Sequence, residues 1–463
     1  MTSPPARSWW SSSVESTLTW PSLRPYHLLE TSLTSVIDGG DDFEAVRLCA
    51  DPHYASVHLP AHLPLPRGGI DDRAEMTQLL EKFIKYIHAK QPLVDLGVLY
   101  QQISIVEEEG LGWDAPTCLL LMACALGCIC TPYDHSKLEE YSMPSIHTEQ
   151  YLRSREYFDA GLKRLGFVMG HASIVGAQCF FLAAGEVASE LGLEIANAQL
   201  IQYENMPSLL PDLEPSWSSP SGIGASSDSS AAQHEQSWMY YLTDISLRKL
   251  EIRIESFFAT QQAEQHQPVN ADRESFYRDI LNTLADLDNQ IMLHFVNLPD
   301  PITIETDESG HSPDDLREYL RLRLIIIRHT LSRPALHFIL HGDLDGLPMS
   351  LRAQANELAN RALRIDRYLV THGLTTHRHP GTWLGIRYCA CAALEIIATA
   401  KSGILGLDCL PVWELGMQKF KVALTYWGAE SADARIYLEW IVRLESPPLE
   451  TGHETGVLAM DDI

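Results

Sequence analysis

The sequence predicts an all-α protein, built as a large multi-helix bundle. Apolar residues recur at i, i+3, i+4 and i+7 in segment after segment, the spacing of one buried helix face. Nowhere do apolar and polar residues alternate as in a half-buried strand. No repeat of about 20–50 residues is present, which excludes a solenoid.

Each element follows from the residues in order. Residues 1–70 are rich in Pro, Ser and His and are expected to be irregular. Arg73 opens a helix, with Met76, Leu79, Leu80, Phe83, Ile84 and Ile87 on one face, and Pro92 ends or bends it. Residues 114–130 are apolar on every side, as in a central helix. Residues 148–169 place Tyr151, Phe158, Leu162, Leu165 and Val168 on one stripe, and residues 172–192 give a further helix. Residues 206–233 are dense in Ser, Pro and Gly and are expected to form a flexible loop between two helical halves, 71–205 and 234–446. Helix returns at Glu235. Another begins at Ser312-Pro313-Asp314-Asp315, with Ser312 as expected N-cap and Pro313 in the first turn. Pro334 is expected to kink that helix or start a new one. Residues 381–401, 412–427 and the stretch from Ser431 to before Pro447 complete the helices, and an acidic tail occupies 447–463.

The chain has 463 residues, enough for two or three units at about 150 residues each, and 45% of them are hydrophobic. Lys and Arg number 34 against 61 Asp and Glu, a net charge of −27. Such a surface repels nucleic-acid phosphates and anionic membranes, so no direct nucleic-acid binding is expected. The longest apolar run, Cys118 to Cys130, is 13 residues and too short to span a bilayer. With no secretory signal in residues 1–30, a soluble intracellular chain is expected. The nine cysteines (Cys49, Cys118, Cys124, Cys128, Cys130, Cys179, Cys389, Cys391 and Cys409) form no CxxC pair. They read as small buried hydrophobes, and neither a structural metal nor a cofactor is expected.

No phosphate-binding glycine loop, nucleophile elbow or zinc-protease motif is present. His377 and His379 flank Arg378 just before an apolar helix and have the i, i+2 spacing of a ligand pair. Arg333, His337 and His341, spaced four apart, share one helix face and could meet an anionic ligand. Trp383 offers a flat apolar wall beside them. These residues are the weak candidates for ligand binding; no catalytic residue is identified. The trio Glu107-Glu108-Glu109 reads as a solvated helix end.

Several segments together resemble the fungal-specific transcription factor domain, the middle homology region of fungal binuclear zinc-cluster regulators. They are Glu15 to Pro21, with its Trp20-Pro21 pair; Ile87-His88 to Asp95; and Trp113-Asp114-Ala115-Pro116 to Gly127. Then come Tyr157-Phe158 to Gly166, Ala177 to Ala183, Glu235 to Arg248 and Leu316 to Leu320. Arg333-Pro334, His377 to Trp383 and Tyr426-Trp427 complete the order. The resemblance spans nearly the whole chain. It implies a multi-helix bundle of that regulatory-domain type, in the nucleus, working with other regulatory proteins or as a homodimer. Control of a secondary-metabolite pathway would fit it. The family's six-cysteine DNA-binding cluster, basic linker and coiled coil do not precede Trp20, and Glu194 to Gln199 lacks the family's Ala-Trp-Arg motif. The expected function is therefore that of an effector domain acting without its own DNA-binding module. The alternative is a transcription-factor-like scaffold turned to binding, or cyclising, a small hydrophobic molecule.

Overall fold

The computed structural model describes residues 14–23, 69–130, 148–170, 173–191, 227–265, 273–305, 314–342, 344, 346–374, 378, 381–404, 413–429 and 431–445. Among these residues 84% are helical, in 13 helices, and none is in a strand.

Helix α1 (Val14–Leu18) and the turn after it, through Leu23, lie inside the stretch expected to be irregular. They correct that expectation, for Val14, Leu18, Trp20 and Leu23 are all buried. Five residues cannot sustain a helix alone in water; packing on later helices holds this one.

Five helices build the first half. Helix α2 (Arg73–Tyr86) is capped by Asp72, whose carboxylate accepts the Ala74 and Glu75 amides. Asp95 caps α3 (Leu96–Glu109) and Asp114 caps α4 (Ala115–Ile129) in the same way. Every residue of α4 from Thr117 onward is buried, as its all-round apolar sequence requires. Helices α5 (Glu149–Val168) and α6 (Ile174–Leu191) pack over it. On α5 the expected stripe holds at Phe158 and Val168, which are buried, and at Tyr151 and Leu165, which pack half-buried on the core; Leu162 is exposed, and Arg153, Ser154 and Arg164 also point inward. Polar groups are tolerated inside when each finds a partner. Arg153 pairs with Glu75 and donates to the Gly69 carbonyl, and Arg164 donates to the carbonyls of Gly112 and Ala160.

Helix α4 crosses α2 at Gly127, where a Cβ would stand 2.2 Å from the Leu79 carbonyl oxygen. Backbone cannot give way as a flexible side chain can. Gly127→Val is therefore expected to lower the unfolding free energy by about 1–3 kcal/mol. Urea titration checks this, and an unchanged midpoint would show that the crossing is looser than described.

The second half holds α7 (Ser227–Gln265), α8 (Arg273–Val296), α9 (Asp315–His341), α10 (Met349–His372), α11 (Thr382–Ser402), α12 (Trp413–Trp427) and α13 (Ala432–Glu445). Helix α7 starts at Ser227, seven residues inside the segment expected to be a loop; 206–226 lie outside the described residues. Ala231 and Ala232 favour helix strongly enough to extend it backwards. Asp314 caps α9, accepting the Arg317 amide at 3.0 Å, where Ser312 was expected to. The helix runs unbroken through Pro334. A proline inside a helix costs about 3 kcal/mol, and here the residues on both sides of it are buried, so packing holds the helix together.

Three apolar clusters form the core. One joins α2 to α6; a second joins α7 to α10; the third gathers α1 with α9 to α13. Helices α9 and α10 contribute to both of the last two. Helix α11 is long and apolar enough to cross a membrane, but 72% of its apolar window is buried in the fold, as in a core helix.

Candidate functional site

Arg333 lies on α9 with no exposed surface. Its Nε donates to Glu395 Oε1 of α11 at 2.5 Å, and a terminal nitrogen donates to Thr17 Oγ1 of α1 at 2.8 Å. The guanidinium sits over the Trp20 ring, 4.8 Å from its centre, a cation–π contact strengthened by the absence of water. His337 and His341 follow at one-turn intervals. Each presents its ring edge-on to Trp20, at 5.3 Å and 5.6 Å between centres. The predicted shared face of these residues therefore exists, and the chain's own tryptophan covers it. Ser22 Oγ comes within 3.5 Å of His341 Nε2.

Trp383, at the start of α11, packs its ring edge-on to Trp427. His377 and His379 lie outside the described residues. Between them, Arg378 is buried over the Trp427 ring. Glu107, Glu108 and Glu109 are exposed at the end of α3, with Glu107 paired to Arg73. Cys118, Cys124, Cys128, Cys130, Cys179, Cys389 and Cys391 are buried thiols; Cys49 and Cys409 lie outside the described residues.

Four groups that sequence reading missed complete the cluster. One turn before Arg333, His329 places Nε2 3.0 Å from Asp366 Oδ1 of α10 and 3.2 Å from Glu395 Oε2. Cys391, one turn before Glu395, places Sγ 3.2 Å from Glu395 Oε1 and 3.1 Å from Thr17 Oγ1. All of these side chains are fully buried. Burial opposes the Glu395 charge, but His329 and Arg333 outweigh it and hold the carboxyl below its ordinary range. Burial likewise opposes a charged His329, and the facing carboxylates of Glu395 and Asp366 override it and raise its pKa. Asp366 goes the other way: burial, then repulsion from Glu395, raise it above the usual carboxylate range. The result is a dry lattice of charges tying α1, α9, α10 and α11 together.

Two other histidines are held neutral. His88 Nε2 lies 3.0 Å from the Val94 carbonyl, and burial pushes its pKa down to about 4. Burial, then the nearby His341 and Arg333, push His337 down to about 3. An unfolded histidine takes its proton near pH 6.5, so below that pH the unfolded chain binds more protons than the folded one. The stability these residues contribute is complete above about pH 6.5 and is lost as pH falls towards the folded values. The urea midpoint is therefore expected to drop between neutral pH and about pH 4.5, and to drop less in the His88→Asn chain. Equal drops in the two chains would contradict this assignment.

The chain matches no protein-family model, no curated protein and no solved structure.

Proposed function

We propose that this chain is a regulatory protein of the transcription-factor type, an effector domain that acts through protein contacts, with no DNA contact of its own. The observation that carries the reading is where its distinctive polar residues go. Arg333, His337 and His341 are covered by Trp20, and Arg333 bonds to Glu395 and Thr17. The same holds for other residues that carry the resemblance. His88 bonds the Val94 carbonyl, Asp95 and Asp114 cap helices, Gln178 donates to the Leu93 carbonyl, and Trp383 packs on Trp427. These side chains hold a scaffold, and a scaffold works through its surface.

That surface supports the reading in two respects. Its net charge of −27 opposes DNA and leaves basic proteins as favoured partners. The Trp113 and Phe167 rings stand 5.2 Å apart and are more than half exposed, with Met169 and Ile174 also exposed nearby in sequence. Exposed apolar groups of this size mark protein contact surfaces. Control of a biosynthetic pathway in the nucleus, with other regulatory proteins or a second copy as partner, is the setting that fits the resemblance.

The test is transcriptional. The full chain, fused to a heterologous DNA-binding domain and tethered at a reporter promoter, is expected to change reporter output several-fold in either direction. Without the fusion it is expected to leave DNA unshifted at low salt. An inert fusion, or sequence-dependent DNA binding by the chain alone, would overturn the proposal.

A further inference from the structure

We infer that the junction of α9, α10 and α11 is a zinc site, with His329 Nε2, Asp366, Cys391 Sγ and Glu395 as its ligands. The expectation that no metal set exists rested on spacing along the chain. These four donors come from three helices, and the fold alone brings them together. Nε2, Sγ and a Glu395 oxygen all lie within 4.8 Å of one another, and Asp366 Oδ1 is 3.0 Å from Nε2. Ligands at the usual 2.0–2.3 Å from a tetrahedral zinc stand about 3.3–3.8 Å apart. Nε2 already stands 3.0 Å from Asp366 Oδ1 and 3.2 Å from Glu395 Oε2, and Sγ 3.2 Å from Glu395 Oε1; drawing Nε2, Sγ and one Glu395 oxygen from within 4.8 Å of one another onto a single ion needs shifts of up to about an ångström.

A second observation points to a cation. Asp366 has no exposed surface, yet neither carboxylate oxygen makes a hydrogen bond. Oδ1 has only the His329 imidazole, 3.0 Å away, and Oδ2 has no donor. A buried carboxylate left in this state is costly, and a metal at the junction would satisfy it directly. Arg333 bonds Glu395 Oε1, which leaves Oε2, the oxygen facing His329, to take the metal. It then serves as the outer partner that orients a metal-bound carboxylate.

The charges balance, as a dry site requires. Zinc and the Arg333 guanidinium carry three positive charges. Two carboxylates and the Cys391 thiolate carry three negative ones. On binding, the thiol proton and any proton on Nε2 or on Asp366 leave to solvent. One nitrogen, one sulfur and two oxygens suit zinc, whereas calcium and magnesium take oxygen shells. With Asp366 drawn in from beside His329 as the fourth ligand, the site closes and its role is to clamp the helices.

The rival is an ion-pair lattice of Arg333 and protonated His329 with the two carboxylates, and metal analysis separates the two. The full chain, purified without a metal-affinity tag, is expected to carry one zinc per chain by elemental analysis. Exchanged with cobalt(II), it is expected to show tetrahedral visible bands and a thiolate charge-transfer band. Cys391→Ser should abolish the charge-transfer band, and Cys128→Ser should keep it. Should Cys391→Ser fail to fold, the thiolate band of the unsubstituted chain decides alone. Zinc far below one per chain with no cobalt spectrum, or a cobalt spectrum without the thiolate band, would overturn the assignment.

Discussion

Arg333→Ala is expected to lower the unfolding free energy by about 3–5 kcal/mol, the cost of leaving a buried charge without its partner. Glu395 would lose its 2.5 Å bond from Nε, Thr17 would lose its donor, and Trp20 would lose the cation over its ring. Arg333, Glu395 and Thr17 have no surface facing bulk solvent that could compensate. Arg443→Ala is the matched control. Arg443 pairs with Glu439 one turn away on α13, both about half exposed, and such pairs contribute only about 0.3–0.5 kcal/mol. Denaturant unfolding of the two variants measures the contrast. Equal, small losses in both would mean that Arg333 reaches water.

Trp20→Ala is expected to cost a similar amount, about 3–5 kcal/mol, through lost burial and an unfilled cavity. The effect should be large because Trp20 is the largest of the buried side chains that anchor this short segment. Helix α1 is five residues long, and its stability comes from Val14, Thr17, Leu18, Trp20 and Leu23 buried against α9 to α13. Removing the ring would uncover His337 and His341 and detach the hydrogen bond from Arg333 to Thr17. Proteolysis should then cut within residues 14–23 early, whereas the unsubstituted chain should be protected there. If Trp20→Ala unfolds at the same denaturant concentration as the parent, the N-terminal segment is not part of the core.

The fold was legible where a single helix buries one simple face. Asp72 and Asp114 each precede an apolar run and cap the helix that follows; α2 buries Met76, Leu79, Leu80 and Phe83 with Ile84 half-buried, and α4 is buried from Thr117 onward, whereas α3 behind Asp95 falls in a stretch whose pattern predicts no helix. The pattern misled where polar residues go inside. Arg153 and Arg164 turn inward beside the apolar stripe of α5 because distant residues supply their partners. Pro334 reads locally as a break, but buried neighbours carry the helix through it. Arg333, His337 and His341 were recognisable as one face. What covers that face is Trp20, more than 300 residues earlier, and no local spacing encodes such a contact. One signal for the rest of the cluster was present: Glu395 is a lone carboxylate in the apolar stretch CACAALEIIATA, and a charge in such a stretch implies a buried partner. His329 and Asp366, flanked by arginines in their own helices, carried no such mark.

The central claim is that Arg333, His337 and His341 of α9 serve the scaffold and do not form a site for a bound molecule. His337→Ala tests it most directly, read by thermal unfolding and by output of the tethered reporter together. The ring packs on Trp20, His341 and Phe338, so its loss is predicted to lower the melting temperature by several degrees, with reporter output falling only as far as the folded fraction does. An unchanged melting temperature with abolished output would contradict the claim and make His337 a contact for a bound molecule.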